Sequence, residues 1–512
     1  MTLALLPLGH FICGVLCLAF VRRAWLLSLL AWVMDGVLVG ILLANASRGQ
    51  IPSLVLGGWV RGFGIELAAD RFSLGFCVLL LVLSGSVLAY LWRERLNAYF
   101  FMLIHLLLGS VFALLFARDL FNIYVIMELL TLVSFLLVGY EKRPDQIWAS
   151  LKYLFLASFG MAIYLFGVVV VYDRVGTVNL LLVAERLSGS SSAGWIPFAS
   201  ALLASGVAVK AGIFLFSLWL PAAHSCASPA VSALLSGLVI KMGVVVLYRL
   251  AAVFPLTLPL VVLGGITGVF GIVYAMYTYD LKKMLAFHTL SQIGYLLIGI
   301  GIGSAVALTG SLQYAIGHGF FKGLLFLAAG TAAQRIGRDD LSSLIAKRSA
   351  LSLATRGSLL LGTLGIVGFP PLAGFCGKSV LSIAATSPVI QGVLVLLSVG
   401  TAASFAKLLP LFWLGSGPPS SWAERISYAA LALPIVLFLP VSRFALPLAQ
   451  WRETIALFPI VESLVVIGAG FLIYRLLPRR FVFFGQRIFR LEEAFLILLS
   501  CFFIVFVLCI LG

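Results

Sequence analysis

The chain has 512 residues, 62% of them hydrophobic and only 10% charged, with 34 Lys+Arg against 18 Asp+Glu and a formal net charge of +16. Soluble domains carry about 25% charged residues, so this composition excludes a water-soluble globule and indicates a polytopic membrane protein in a lipid bilayer. The surplus positive charge lies between apolar runs and forms no patch with interleaved aromatics, which excludes nucleic-acid binding and makes the charge a signal of loop orientation.

Runs of roughly 20 apolar residues, the length needed to cross a membrane, begin at 3–21 and 24–44. The first has its basic pair (Arg22, Arg23) on the far side and no small-residue cleavage site, so it is expected to be a retained helix. Further runs follow at 72–92, 98–117, 119–139, 149–171, 196–219, 228–249, 258–278, 283–302, 309–332, 353–383, 389–413 and 428–446. Candidates at 461–477 and 493–511 complete the series. These runs show no two-residue alternation, which excludes a barrel; the expected fold is all-α, with 14 to 16 transmembrane helices. Basic residues concentrate after odd-numbered spans (Arg93 and Arg95, Lys142 and Arg143, Lys282 and Lys283, Lys347 and Arg348), which puts the N-terminus outside. Arg479 to Arg490 (RRFVFFGQRIFR) reads as a basic interfacial segment or a cytoplasmic loop.

Several charges fall inside these spans. Glu128 lies nine residues into its run, and Lys210 and Lys241 lie deep in theirs. His318 and Lys322, four residues apart, share a helix face, and Lys378 follows Pro370-Pro371 in an apolar stretch. Each costs upwards of about 2.5 kcal/mol at mid-bilayer unless it finds a partner or water, so the set suggests a relay rather than isolated ion pairs. Two helices are expected to be broken, near 219–229 at Pro221 and Pro229, and near 368–378 at Pro370 and Pro371. Breaks five spans apart, each near a lysine, are the pattern of an inverted internal repeat. The expected organisation is helices 1–3 over 1–97, a first five-helix repeat over 98–250, a second over 257–415, and C-terminal helices with the basic segment over 420–512.

The seven cysteines include no CxxC pair and lie mostly in apolar spans, where a thiol acts as a small hydrophobe, and no nucleotide-binding glycine motif occurs in a strand-to-helix context. Neither a metal nor a redox or nucleotide cofactor is expected, and no redox catalysis by this chain itself.

The blocks DLFNIYVIMELLTLVSFLLVG (119–139), VKAGIFLFSLWLPAAHSCASPAVSALLSGLVIKMG (209–243), DLKKMLAFHTLSQIGYLLIGIG (280–301), HGFFKGLLFLAAG (318–330) and GFPPLAGFCGK (368–378) together resemble the antiporter-like subunits shared by respiratory complex I, membrane-bound hydrogenases and Mrp-type sodium/proton antiporters. LGGWVRGFGIELAADRFS (56–73) and the block around His288 look closest to the D-type component of the Mrp antiporters and to the related hydrogenase modules. The resemblance implies a proton pathway through Glu128, Lys210, Lys241, His288, His318, Lys322 and Lys378. Ala222 stands where the family usually has Asp, Ser228 replaces a usual proline, and Ser236 stands where some complex I subunits have histidine.

On this reading Glu128 and Lys210, at about 4 Å and an effective dielectric near 20, form a pair worth about 4 kcal/mol, and making and breaking it moves a proton onward. The expected function is a proton-translocating subunit of a multisubunit Na⁺/H⁺ antiporter in a bacterial plasma membrane or an equivalent energy-transducing membrane. A proton-pumping subunit of a complex I-like NADH:quinone oxidoreductase or membrane-bound hydrogenase is the alternative. An independent solute transporter would want specificity groups at the breaks, where only His224 and Ser225 occur. The expected partners are other membrane subunits; the residues leave H⁺ translocation alone and Na⁺/H⁺ exchange both open.

Overall fold

The computed structural model describes all residues except 95, 189–193, 218, 414–416, 444–446, 477–490 and 512, so the basic segment 479–490 and Arg95 lie outside the described residues. In chain order the helices begin with α1 (Thr2–Ala19) and α2 (Ala24–Ser47). A short antiparallel pair, β1 (Ser53–Val55) and β2 (Glu66–Ala68), precedes α3 (Arg71–Tyr90), α4 (Ala98–Phe116), α5 (Leu120–Val138) and α6 (Pro144–Val175). Next come α7 (Leu180–Leu187), α8 (Trp195–Ala211), α9 (Leu220–Cys226), α10 (Pro229–Leu234) and α11 (Ile240–Ala251). The series continues with α12 (Thr257–Tyr277), α13 (Leu281–Ile302), α14 (Ala305–Ile336), α15 (Leu341–Ala346), α16 (Leu353–Val367), α17 (Ala373–Ala384) and α18 (Pro388–Phe405). It ends with α19 (Trp422–Val436), α20 (Phe438–Ser442), α21 (Leu448–Thr454), α22 (Leu457–Leu476) and α23 (Leu491–Leu511).

Among the described residues, 12 helical segments are long and apolar enough to cross a membrane. The remaining apolar runs are shorter or interrupted. Gly212, in the left-handed conformation at φ 65°, ends α8 after 17 residues, and Gly368, at φ 93°, separates α16 from α17. The run at 428–446 carries α19 and α20, two short helices with Pro434 and Pro440 in their sequence. The long span Pro229–Ala251 is α10 and α11 joined through a π turn at Leu235–Val239.

Two compact units form. One comprises Met1–Trp219, Leu238–Pro259 and Leu496–Gly512; the other comprises Leu220–Gly237 and Leu260–Phe495. The first is held by close packing of α1 on α4, α6 on α8 and α5 on α6. The second is centred on α14, which touches α10, α13, α16, α17 and α19 and is buried over most of its length.

One series of structural details appears twice, 161 positions apart. Helices α6 and α14 both have 32 residues (144 to 305 at the start, 175 to 336 at the end), and each stops at a left-handed glycine, Gly176 or Gly337. Asp119 caps α5 by accepting from the Asn122 amide at 2.7 Å, and Asp280 caps α13 by accepting from the Lys283 amide at 2.8 Å. The Leu120 amide donates to the Val178 carbonyl and the Leu180 amide to that of Arg118; Leu281 to Asp339 and Leu341 to Tyr279 repeat the arrangement. The helix C-terminal caps correspond as well, with the bonded carbonyls at the same offset and the two cations 158 positions apart. Arg249 donates to the carbonyls of Leu114, Leu115 and Ala117 at the end of α4, while Lys407 donates to those of Ala275, Met276 and Thr278 at the end of α12. Both cations are buried, and each supplies donors and positive charge where a helix leaves its last carbonyls unbonded.

Candidate functional site

In the first unit, α5 presents Glu128 toward α6 and α8. The Ser158 hydroxyl donates to Glu128 Oε2 at 3.3 Å, and Oε1 is buried with no hydrogen-bond partner among the described residues. Lys210 Nζ donates to the Met127 carbonyl at 3.2 Å and lies 5.8 Å from the centre of the Tyr153 ring. That contact differs from the expected 4 Å pair, since no ion pair of 4.0 Å or less joins Glu128 to Lys210. The amine rests on the carbonyl one residue before the carboxylate. Because the Met127 carbonyl also accepts from the Thr131 hydroxyl at 2.8 Å, it does not depend on the lysine.

Backbone freed by the break beyond α8 finds partners locally. The Ile213 amide donates to the Ala208 carbonyl at 3.0 Å, and the Trp219 indole donates to the Val209 carbonyl at 2.9 Å. Non-helical backbone at membrane depth is tolerated only when its polar groups are met in this way. The break begins earlier than the expected 219–229: α8 stops at Gly212, Pro221 lies within α9, and a second interruption before α10 ends at Pro229. Lys241 is fully buried on α11, and this helix meets the end of α8 closely. A Cβ on Gly243 would come within 2.6 Å of the Ala211 nitrogen.

In the second unit, His318 and Lys322 are fully buried on α14. Lys322 Nζ donates to the Leu285 carbonyl of α13 and lies 5.7 Å from the Phe326 ring centre. His318 packs against Phe321 and Tyr314, and the Tyr314 hydroxyl donates to Gln292 of α13. His288, also on α13, bonds Ser404 Oγ at 2.8 Å through Nε2 and stacks near Phe405. Lys378 lies on α17, beyond the break that holds Pro370 and Pro371. Its amine donates to the Ile366 and Val367 carbonyls at 3.0 and 3.2 Å and lies 5.1 Å from the Tyr295 ring centre. It lines a cavity together with Ser379, Ser382, Ser398, Glu462 and Ser463.

Several polar groups, buried or half-buried, escape sequence reasoning. Glu462, from α22, shares the Lys378 cavity although 84 positions separate the two, so the cavity holds an acidic group that the lysine's own segment lacks. Arg249 and Lys407, within the spans 228–249 and 389–413, cap the ends of α4 and α12. Lys282, counted above as a loop charge, is buried and donates to the Ala227 carbonyl at 2.6 Å. Asp340, partly exposed in the basic loop, caps α15, and bonds from the Ser342 hydroxyl and the Ser343 amide bring its carboxyl down to about 2.

Many apolar helices, two of them broken beside buried lysines, define an integral, multi-pass membrane protein organised round ionisable groups. The chain belongs to the NADH:quinone oxidoreductase/Mrp antiporter transmembrane family, whose profile matches residues 117–404. It is 29% identical over 456 residues to the D component of the Na⁺/H⁺ antiporter of Alkalihalophilus pseudofirmus, covering 85% of this chain and 91% of that one. It is 28% identical to the N component of the NADH-quinone oxidoreductase of Desulforudis audaxviator, covering 79% and 84% of the two chains. Among solved structures, a chain of the membrane-bound sulfane sulfur reductase, an archaeal respiratory membrane complex, superposes with a TM-score of 0.80 at 22% identity, covering 91% of this chain and 99% of that one. A chain of the Mrp complex from Dietzia sp. DQ12-45-1b gives 0.77 at 23%, covering 92% and 99%. At these identities the two structures establish a common fold.

Proposed function

We propose that this chain is the proton-translocating, antiporter-like subunit of an Mrp-type multisubunit Na⁺/H⁺ antiporter, working with other membrane subunits in a bacterial plasma membrane or an equivalent membrane. The observation that carries the reading is the position of Lys210, on the Met127 carbonyl beside the half-met carboxylate of Glu128. A swing of the amine from that carbonyl to the carboxylate would close an ion pair, and the reverse swing would open it, changing how firmly the proton is held. The proposed pathway uses Glu128, Lys210 and Lys241 in the first unit and His288, His318, Lys322 and Lys378 in the second. The details that recur 161 positions apart support reading 98–250 and 257–415 as two copies of one five-helix repeat, the second inverted. On this reading the N-terminus is outside, so a cysteine introduced at Lys142 should react only with reagents that reach the cytoplasm.

The similarity to the N component of an NADH-quinone oxidoreductase supports a second reading, a proton-pumping subunit of a complex I-like or hydrogenase-like enzyme. Reconstitution of the chain with its genomic neighbours' products separates the two. Na⁺-dependent ΔpH without any electron donor supports the antiporter. A ΔpH that needs a reductant and a quinone or another acceptor selects the second reading, and uptake of a neutral solute without either would remove both.

A further inference from the structure

A second buried polar cluster lies within the first unit, on α1, α2 and α4, and shares no residue with the pathway above. His10, Cys13 and Cys17 follow one face of α1, Ser28 and Asp35 one face of α2, and His105 comes from α4. All six are buried. His10 Nε2 lies 3.0 Å from Asp35 Oδ2, and His10 Nδ1 lies 2.9 Å from His105 Nδ1. His105 Nε2 stands 2.9 Å from Ser28 Oγ and 3.4 Å from Cys13 Sγ.

The chain of bonds orders the tautomers. An Asp35 carboxylate accepts from His10 Nε2–H, so a neutral His10 presents a lone pair at Nδ1. His105 must then donate from Nδ1, which leaves its Nε2 lone pair aimed at the thiols. The Ser28 hydroxyl has its own acceptor, the Ala24 carbonyl at 2.9 Å. The ligand atoms of Cys13, Cys17 and His105 all lie within 4.8 Å of one another. In tetrahedral zinc sites, bonds of about 2.3 Å to sulfur and about 2.0 Å to nitrogen place neighbouring ligand atoms roughly 3.5 to 3.8 Å apart.

We propose that Cys13, Cys17 and His105 form a structural Zn²⁺ site that clasps α1 to α4. Two sulfurs and an imidazole suit a borderline-soft d¹⁰ ion and suit Na⁺, Mg²⁺ or Ca²⁺ poorly. Binding forms two Zn–S bonds and one Zn–N bond and releases two thiol protons, so the dication and two thiolates add no net charge to a low-dielectric interior. Asp35 and His10 are the outer partners that orient metal-bound imidazoles, here through one extra ring. Ser28 Oγ, 2.9 Å from His105 Nε2, or a water would complete the four-coordinate shell. The shell around the thiols is apolar, with Ala24, Ala31, Ala98 and Phe101 buried against them and Trp25, Leu27, Leu88 and Leu96 packed outside.

The test uses the full chain purified with its partner subunits, on a tag that contains no histidine. Elemental analysis after gel filtration should find about one zinc per chain, falling at least about ten-fold in the Cys13→Ser/Cys17→Ser double variant and also in His105→Gln. Equal zinc in wild type and double variant would identify adventitious metal and overturn the site. Should the double variant fail to assemble, the wild type alone decides. Stripped of zinc and loaded with Co²⁺, it should show near-ultraviolet thiolate-to-cobalt absorption with tetrahedral visible bands. A spectrum of octahedral, oxygen-bound cobalt, or of no bound cobalt, refutes the proposal whatever the variants do.

Discussion

At the break after α8, neutral groups take the freed carbonyls: the Ile213 amide bonds Ala208 and the Trp219 indole bonds Val209. Lys210, one residue from the helix end, reaches instead to Met127 of α5, whose carbonyl already has a hydroxyl partner. At the break after α16 the division of labour is reversed. Lys378 itself satisfies the Ile366 and Val367 carbonyls, and the Ser463 hydroxyl takes that of Gly368 at 2.6 Å. One lysine bonds a carbonyl that already has another partner, while the other is part of what holds its break together. Under the proposed function, a similar break beside a similar charge would serve motion in one place and structure in another.

The sharpest way to break this comparison is at Glu128. Glu128→Gln keeps size and shape but removes the charge to which Lys210 would swing, so ΔpH formation in proteoliposomes should fall at least about ten-fold with assembly unchanged. Normal transport would mean that Lys210 has another partner. Next in size is the contrast between the lysines. Lys378→Met strips donors from two carbonyls and should cost about 2–3 kcal/mol, whereas Lys210→Met should be within about 1 kcal/mol of wild type; apparent Tm of the purified complex reads both. Lys378→Arg keeps the donors and should restore stability while abolishing transport, because guanidinium does not release its proton. Full transport by the Arg variant would end the pathway before position 378.

A smaller effect is expected at the first break. Trp219→Phe removes one of two donors on Val209, leaving the Gly212 amide at 3.3 Å and room for Lys210, so about 1 kcal/mol should be lost and transport should slow as the lysine is captured. Unchanged transport would show that the indole does not keep the lysine free. The least effect lies outside the spans. Burial alone would raise the Asp70 carboxyl, but the Arg249 and Arg118 guanidinium groups and the Ser73 amide outweigh it and hold it below its ordinary 3.8. The Arg118–Asp70 pair, at 2.6 Å, therefore contributes fully above that value and is lost as the pH falls through the lowered one. Asp70→Asn should cost about 1 kcal/mol, equally at pH 6 and pH 8.

What the sequence made legible follows from what a bilayer imposes. Long apolar runs must be helices and a charge within them needs a partner, so α5, α14 and the neighbourhood of both breaks could be read, whereas α8 stops at Gly212, ahead of the prolines, and Pro7 and Pro434 lie inside continuous helices. Partnerships through space left no such trace. Nothing at positions 127 or 462 announces that Met127 offers its carbonyl to Lys210 or that Glu462 shares a cavity with Lys378. Lys282 reads as a loop charge because a cation near a helix start stands where loop cations stand, and Arg249 and Lys407 lie in the spans 228–249 and 389–413 with nothing in the sequence to say that they cap other helices. The cysteines of α1 read as hydrophobes because their spacing of four fits no familiar metal motif and their third companion, His105, lies on another helix.

The division of the chain bears on how the protein is made. Residues 220–237 pack with the second unit: Lys282 donates to the Ala227 carbonyl at 2.6 Å, Ser236 bonds Thr289 at 2.9 Å, and Gly330 has no side chain where Pro229 lies against it. A ribosome that has just completed α11 has delivered this stretch to the membrane before any of those partners exists, and the first unit also waits for residues 496–512. Membrane insertion and folding must therefore run out of step. The broken helix completes its packing only when α13 and α14 emerge to receive it.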